Sequence, residues 1–198
     1  PWPHNRTVNI ACHGHSVPAG YFATPVVDTL NAYPQLLLTH LKNAYPNAVV
    51  NVIVTAIGGE HAESGAARFE RDTLVFKPDV VTIDYGLNDR HIGVARAEKA
   101  WRSMIESAAK SAAKLILLTP TWDDSYRERS QDGWRQLSRH ADLIRGLAEE
   151  YGLGLADSHA AFERFAQQAD AGRLLSWSNH PNRAGHELVA GELARWFV

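Results

Sequence analysis

One cysteine, Cys12, is present, so no disulfide can form within the chain and its stability must come from packing and hydrogen bonding. The lack of disulfides does not place the protein in a compartment. No charge of one sign dominates: 20 Lys and Arg stand against 22 Asp and Glu, with no long run of either. That balance argues against nucleic acid or an anionic membrane surface as a partner. No apolar stretch approaches the roughly 20 residues of a membrane span. Repeats, low-complexity tracts and linker-like shifts in composition are also missing. The chain starts Pro1-Trp2-Pro3 without a methionine, which reads as a processed or trimmed form, so an export signal would not be seen and localisation stays open.

What is present is ordinary globular material, 198 residues with 45% hydrophobic and 21% charged, enough for one domain over 1–198 with a sizeable core. Short apolar runs at Thr7 to Cys12, Val49 to Ala56, Val80 to Tyr85, Leu115 to Thr119 and Leu153 to Asp157 are β-branched or Leu-rich without clean polar alternation. Strands buried on both faces have that pattern. Between them, Trp101, Met104, Ile105 and Ala108 recur at helical spacing, as do Trp134, Leu137, Ala141, Ile144 and Ala148. The same holds from Ala184 to Phe197, where Pro181, a residue favoured in a helix's first turn, stands at the entry, and from Ala32 to Ala44, where Pro34 reads as an early interruption. Strand–helix alternation predicts a three-layer α/β/α domain with a parallel sheet, whose ligands bind beyond the carboxyl ends of the strands.

The segments at those ends are therefore the ones that matter. Gly14-His15-Ser16 follows the first strand, Gly58-Gly59-Glu60-His61 the second, and Gly86-Leu87-Asn88-Asp89 the third. Pro120 to Asp124 follows the fourth, and Asn179-His180-Pro181-Asn182 precedes the last helix. Singly, each reads as a turn, a bend or a cap. Together they supply what acyl transfer needs. Ser16 is a nucleophile for which a neutral His180 can act as base, and Ser16 N–H, Gly59 N–H and the Asn88 amide can stabilise a developing oxyanion.

These blocks resemble those of the SGNH hydrolases, the GDSL-like lipase/esterase family. The family's Gly-Asp-Ser-x-x-x-Gly resembles Gly14 to Gly20, its strand into a glycine turn resembles Ala56 to Glu60, its Gly-x-Asn-Asp is Gly86 to Asp89, and its Asp-x-x-His-Pro-Asn resembles Trp177 to Asn182. The resemblance implies a flavodoxin-like five-stranded parallel sheet. It also implies Ser16 as nucleophile, Gly59 and Asn88 as oxyanion donors, His180 as base, and no metal or organic cofactor. The substrate expected is a small-molecule or carbohydrate ester. The oligomeric state is open.

Two positions depart from the pattern. His15 replaces the family's Asp, and Trp177 stands where the acid three residues before the histidine belongs. Tryptophan cannot hold an imidazole tautomer as a carboxylate does. Ser178, a backbone carbonyl or water can orient His180 instead; alternatively Asp157 or Glu60 reaches it, or catalysis is lost and a glycan-binding module remains. His15 and His61 are candidate pocket donors, and His13, His15, His61 and His91 give only a weak metal pattern, broken by Gly14. Cys12 reads as a core residue, His186 as a capping or packing residue, and Trp122 to Tyr126 as either a loop or a pocket wall.

Overall fold

The computed structural model describes residues 6–197, so Pro1-Trp2-Pro3 lies outside the described residues. Strands β1 (Thr7–Gly14), β2 (Val49–Val54), β3 (Val80–Asp84), β4 (Lys114–Leu118) and β5 (Gly154–Ala156) form one sheet in the order β2-β1-β3-β4-β5. Every pairing is parallel. The chain runs outward from β1 to β2, then crosses back to β3 on the other side of β1. The topological switch point therefore lies between β1 and β3, where open α/β sheets bind ligands.

Alternation along each strand sends successive side chains to opposite faces. Ile10, Cys12, Ile116 and Leu118 pack with Leu37 of α2 (Tyr33–Ala44), Phe162 of α6 (Ser158–Ala166) and Val189 of α7 (Arg183–Ala194). Ala11, Ile83 and Leu117 pack with Phe69 of α3 (Ala62–Asp72), Trp101 of α4 (Val94–Ala109) and Ile144 of α5 (Asp132–Tyr151). A four-residue helix, α1 (Ser16–Ala19), follows β1 directly. Cys12 is fully buried, and burial pushes its thiol up to about 12, so it is a core residue.

Three sequence expectations need correction. Pro34 does not interrupt α2; it occupies the first turn, where its missing N–H has no intrahelical partner to lose. Pro181 lies before α7, bridged to Leu175, and Asn182 is the cap, accepting from Gly185 N–H at 3.1 Å. Helices α3 and α6 have no counterpart among the periodic segments. In α3, a Cβ on Gly65 would lie 2.3 Å from the Tyr85 hydroxyl, so tertiary contact requires the glycine. In α6, Asp157 reads as the end of a strand, but its carboxylate caps the helix by accepting from Ala160 N–H at 3.0 Å.

Burial lowers several imidazoles, three of them strongly: His13 to about 4, His159 to about 4 and His186 to about 3. Below pH 6.5 the unfolded chain takes up protons that the native state excludes, so stability falls as pH drops. Asp89 opposes this, because burial raises it to about 6 and the native state gains a proton there that the unfolded chain does not. Three histidines outweigh one aspartate, each losing roughly 2 kcal/mol by pH 5. The Tm should therefore drop clearly between pH 7.5 and pH 5 in scanning calorimetry. An equal or higher Tm at pH 5 would contradict the neutral, buried state of these rings.

Candidate active site

The first turn of the site is set by a close backbone approach. At the end of β1 a Cβ on Gly14 would lie 2.4 Å from the Asp84 carbonyl oxygen and 2.7 Å from Pro18 Cγ. Only glycine fits, and the chain can then turn straight into α1. His15 caps that helix, its Nδ1 accepting from Val17 N–H at 3.3 Å. Gly20 ends it at φ +94°, a left-handed conformation that favours glycine. Ser16 is thus the first residue of a helix, and its N–H has no intrahelical acceptor.

His180 arrives on a short loop before α7. Its carbonyl accepts from Ser176 N–H at 2.9 Å, and the Ser176 hydroxyl donates to the carbonyls of His180 and Pro181. The loop holds His180 Nε2 3.0 Å from Ser16 Oγ and Nδ1 2.8 Å from the Phe22 carbonyl oxygen. A carbonyl can only accept, so Nδ1 carries the hydrogen and Nε2 presents a lone pair to the serine hydroxyl. The imidazole titrates below its ordinary value. Burial is the main cause and the nearby His15 adds to it, while the Phe22 carbonyl opposes them.

The orienting group is therefore a main-chain carbonyl. Ser178 does not serve: it is exposed and turns its carbonyl to Asp124 N–H at 2.7 Å, while Nδ1 is already taken. Trp177 points to solvent with 55% exposure. Asp157 is held by Arg145 and Thr119, and Glu60 by Arg68, so neither candidate acid is free to reach the histidine.

The glycine turn after β2 is built to stay open. Gly59 has φ +82°, and a Cβ there would meet nothing within 4 Å. Gly58 is covered instead by Tyr21, whose ring centroid is 5.9 Å from that of His180. Asn88 donates from Nδ2 to the Glu60 carbonyl at 2.9 Å and makes no side-chain cap, leaving its second amide hydrogen available beside the turn. Behind the turn, Arg68 binds the Glu60 carboxylate at 3.0 Å and the Thr55 carbonyl at 2.7 Å. Asp89 accepts from Ala62 N–H and Trp101 Nε1, each at 2.7 Å, tying the Asn88 loop to α3 and α4.

The remaining histidines separate by environment. His15 is buried, with Nδ1 3.3 Å from Ser16 Oγ. His13 is enclosed by Thr55, Thr73, Tyr85 and the Gly65 carbonyl, which hold it as a neutral structural ring. His61 is bonded to Ser64 at the start of α3, and His91 is exposed. His186 accepts from Tyr33 N–H at 3.2 Å, capping α2 from α7. Among the described residues no group of three or more His, Cys, Asp or Glu side chains is placed to hold a metal ion. Trp122 is no pocket wall. It is fully buried, 4.8 Å from Trp134 ring to ring.

The sequence alone did not single out Tyr21, Phe22, Arg68 or Asp84, although each touches the site. Phe22 acts through its backbone, which no side-chain pattern reveals. Arg68 had one available signal, its helical placement after an acid-bearing turn.

The family model of the GDSL-like Lipase/Acylhydrolase family matches residues 12–188, spanning all four strand-end blocks. The chain belongs to this family. It is 27% identical over 169 residues to an acetylxylan esterase of Geobacillus stearothermophilus, covering 78% of this chain and 75% of that one. The crystal structure of that organism's Axe2, an acetylxylan esterase, superposes with TM-score 0.83 at 23% identity, over 95% of this chain and 93% of the other. LAE5, an alpha/beta hydrolase enzyme from the metagenome of Lake Arreo in Spain, gives TM-score 0.81 at 24% identity, over 95% and 94%. Solved structures of Axe2 include catalytic mutants in which a serine, a histidine and the aspartate three positions before that histidine are replaced by alanine. This GDSL-like hydrolase is a carboxylic ester hydrolase with the flavodoxin-like α/β sheet of its relatives. The family assignment and the esterase relative weigh against a binding module that has lost catalysis.

The largely covered Arg68–Glu60 pair that backs the glycine turn can be tested in this esterase. Arg68→Met takes the guanidinium from the partly covered Glu60 carboxylate and should cost about 1–3 kcal/mol, whereas Arg68→Met with Glu60→Gln should recover a good part of it. Urea unfolding of the two variants checks this. Equal stabilities would show that the pair does not act as a unit.

Proposed function

We propose that this esterase works through a Ser16–His180 dyad, with Ser16 N–H, Gly59 N–H and the Asn88 amide as its oxyanion donors. The observation that carries the proposal is the 3.0 Å contact between Ser16 Oγ and a His180 Nε2 whose tautomer is set by the Phe22 carbonyl. Ser16 attacks the ester carbonyl as its proton passes to His180. The tetrahedral oxyanion is held by the three uncharged donors. His180 then protonates the departing alcohol, and water, activated by the same ring, removes the acyl group from Ser16.

A carbonyl stabilises the imidazolium less than a carboxylate does, since charge-assisted hydrogen bonds are roughly twice as strong. Activated esters, whose leaving groups need little protonation, should be turned over better than unactivated ones. The substrate we favour is a short acyl ester, such as acetate, on a carbohydrate. Ser16 is 6% exposed and His180 5%, which suits a small acyl group reaching the nucleophile through a narrow opening. Exposed Trp177, close in sequence to His180, offers an indole face for a sugar ring, and the acetylxylan esterase relative points the same way.

Ser16→Ala should lower p-nitrophenyl acetate hydrolysis by several orders of magnitude with an unchanged circular dichroism spectrum, and should abolish fluorophosphonate labelling. Asn88→Ala should cost roughly a hundred- to a thousandfold in kcat. Near-wild-type hydrolysis by the serine variant would end the assignment. Because burial keeps His180 below its ordinary value of 6.5, and the base must be unprotonated, the acid limb of kcat/KM should lie below pH 6.5. A limb above pH 7 would mean that a carboxylate supports the ring.

A further inference from the structure

His180 is not the only imidazole at the nucleophile. His15 Nδ1 lies 3.3 Å from Ser16 Oγ, and its Nε2 lies 3.4 Å from the Asp84 carboxylate. Both residues are almost completely buried, at 1% and 3% exposure. The Val17 N–H directed at Nδ1 requires a lone pair there, which places the ring hydrogen on Nε2, facing Asp84. A buried carboxylate needs a charged or hydrogen-bonding partner. Among the described residues His15 is the one basic side chain within ion-pair distance of Asp84. So the imidazole with a carboxylate behind it is His15, while His180 has only a carbonyl.

We propose, resting on Ser16 as nucleophile, that the His15–Asp84 pair is a second proton acceptor for Ser16. In that step the Ser16 Oγ–H bond breaks as Oγ attacks the ester carbon. The proton goes to the Nδ1 lone pair of His15, which gives up the Val17 N–H. Nε2–H stays facing Asp84, 3.4 Å away, so the imidazolium forms beside a carboxylate. The same proton then goes to the departing alcohol. His180, at the shorter distance, takes most of the flux in the native enzyme. The two rings compete for one hydroxyl hydrogen, and a positive charge on His15 disfavours one on His180. The other titratable groups facing His15 are Asp89, in the loop after β3, and Tyr85, its ring centroid 6.4 Å away.

Four variants decide the matter, with p-nitrophenyl acetate as substrate: Ser16→Ala, His180→Ala, His15→Asn in the His180→Ala background, and Asp84→Asn in that same background. Asparagine at position 15 can still accept from Val17 N–H and keep the cap, but it takes no proton. His180→Ala should retain turnover about a hundredfold above Ser16→Ala, with a pH profile showing one ionisation. Adding His15→Asn should remove both that turnover and that ionisation, and adding Asp84→Asn should lower the turnover by roughly tenfold or more. If His15→Asn fails to fold by circular dichroism, the Asp84→Asn variant reads the same pair. The proposal is overturned if His180→Ala already sits at the Ser16→Ala level, or if neither second substitution lowers it further. Activity retained by Ser16→Ala would instead remove the nucleophile assignment on which it rests.

Discussion

Backbone contact between the ends of β1 and β3 places everything else in the site. Gly14 is paired in register with Asp84, and the Asp84 carbonyl comes so close that no side chain could occupy position 14. His15 N–H donates to that same carbonyl at 3.3 Å, which pins the turn before α1 begins. Ser16 then stands at a helix start with an N–H that has no intrahelical acceptor, and the Asp84 side chain comes to lie beside His15. A larger residue at Gly14 would push β1 off β3 and carry Ser16 with it. Because the sheet order puts the switch point at this pair, the Asn88 loop leaves β3 from the same place.

Around that pinch the chain uses buried polar networks to fix short loops. Glu60, Arg68 and the Thr55 carbonyl hold the glycine turn from behind, and Asn88 binds the same turn from the side. Asp89 reaches past it to α3 and α4. Such networks are costly when incomplete, since a buried charge without its partner loses solvation and gains nothing. Here the partners are in place, so the turn and the Asn88 amide are held in position, as the proposed oxyanion site requires.

The histidine is handled differently. Axe2 has catalytic mutants at a histidine and at the aspartate three positions before it, whereas here a solvent-facing tryptophan occupies that position of the motif. The Phe22 carbonyl, on the loop that follows α1, takes over the orientation of the ring. Orientation and charge stabilisation are thereby separated. A carbonyl can only accept and so fixes the tautomer, but it carries no full charge to support an imidazolium. The carboxylate near Ser16 is Asp84, and it lies beside His15.

Much of this was legible in the amino-acid order. Five apolar runs with helical segments between them specify a doubly covered parallel sheet, because strands buried on both faces cannot alternate polar and apolar residues. Four short blocks at the strand ends singled out Ser16, Gly59, Asn88 and His180, since a glycine turn, a hydroxyl, an amide and an imidazole are visible as residue types in the sequence. Helix α3 stayed hidden because its Gly65 is explained only by Tyr85, and α6 because Asp157 serves a cap rather than a strand. For orienting His180 the sequence left open a backbone carbonyl as one of the acceptors, but did not say which carbonyl. Its partner is a backbone oxygen 158 residues away, and every residue has such an oxygen, so composition and spacing carry no trace of which one is used. Likewise Asp84 is one more residue at the end of a buried strand until the register of β1 against β3 sets it beside His15. Local sequence determined the elements and the reactive side chains; the packing of strand against strand decided which atoms meet, because such contacts depend on distances that only the folded chain defines.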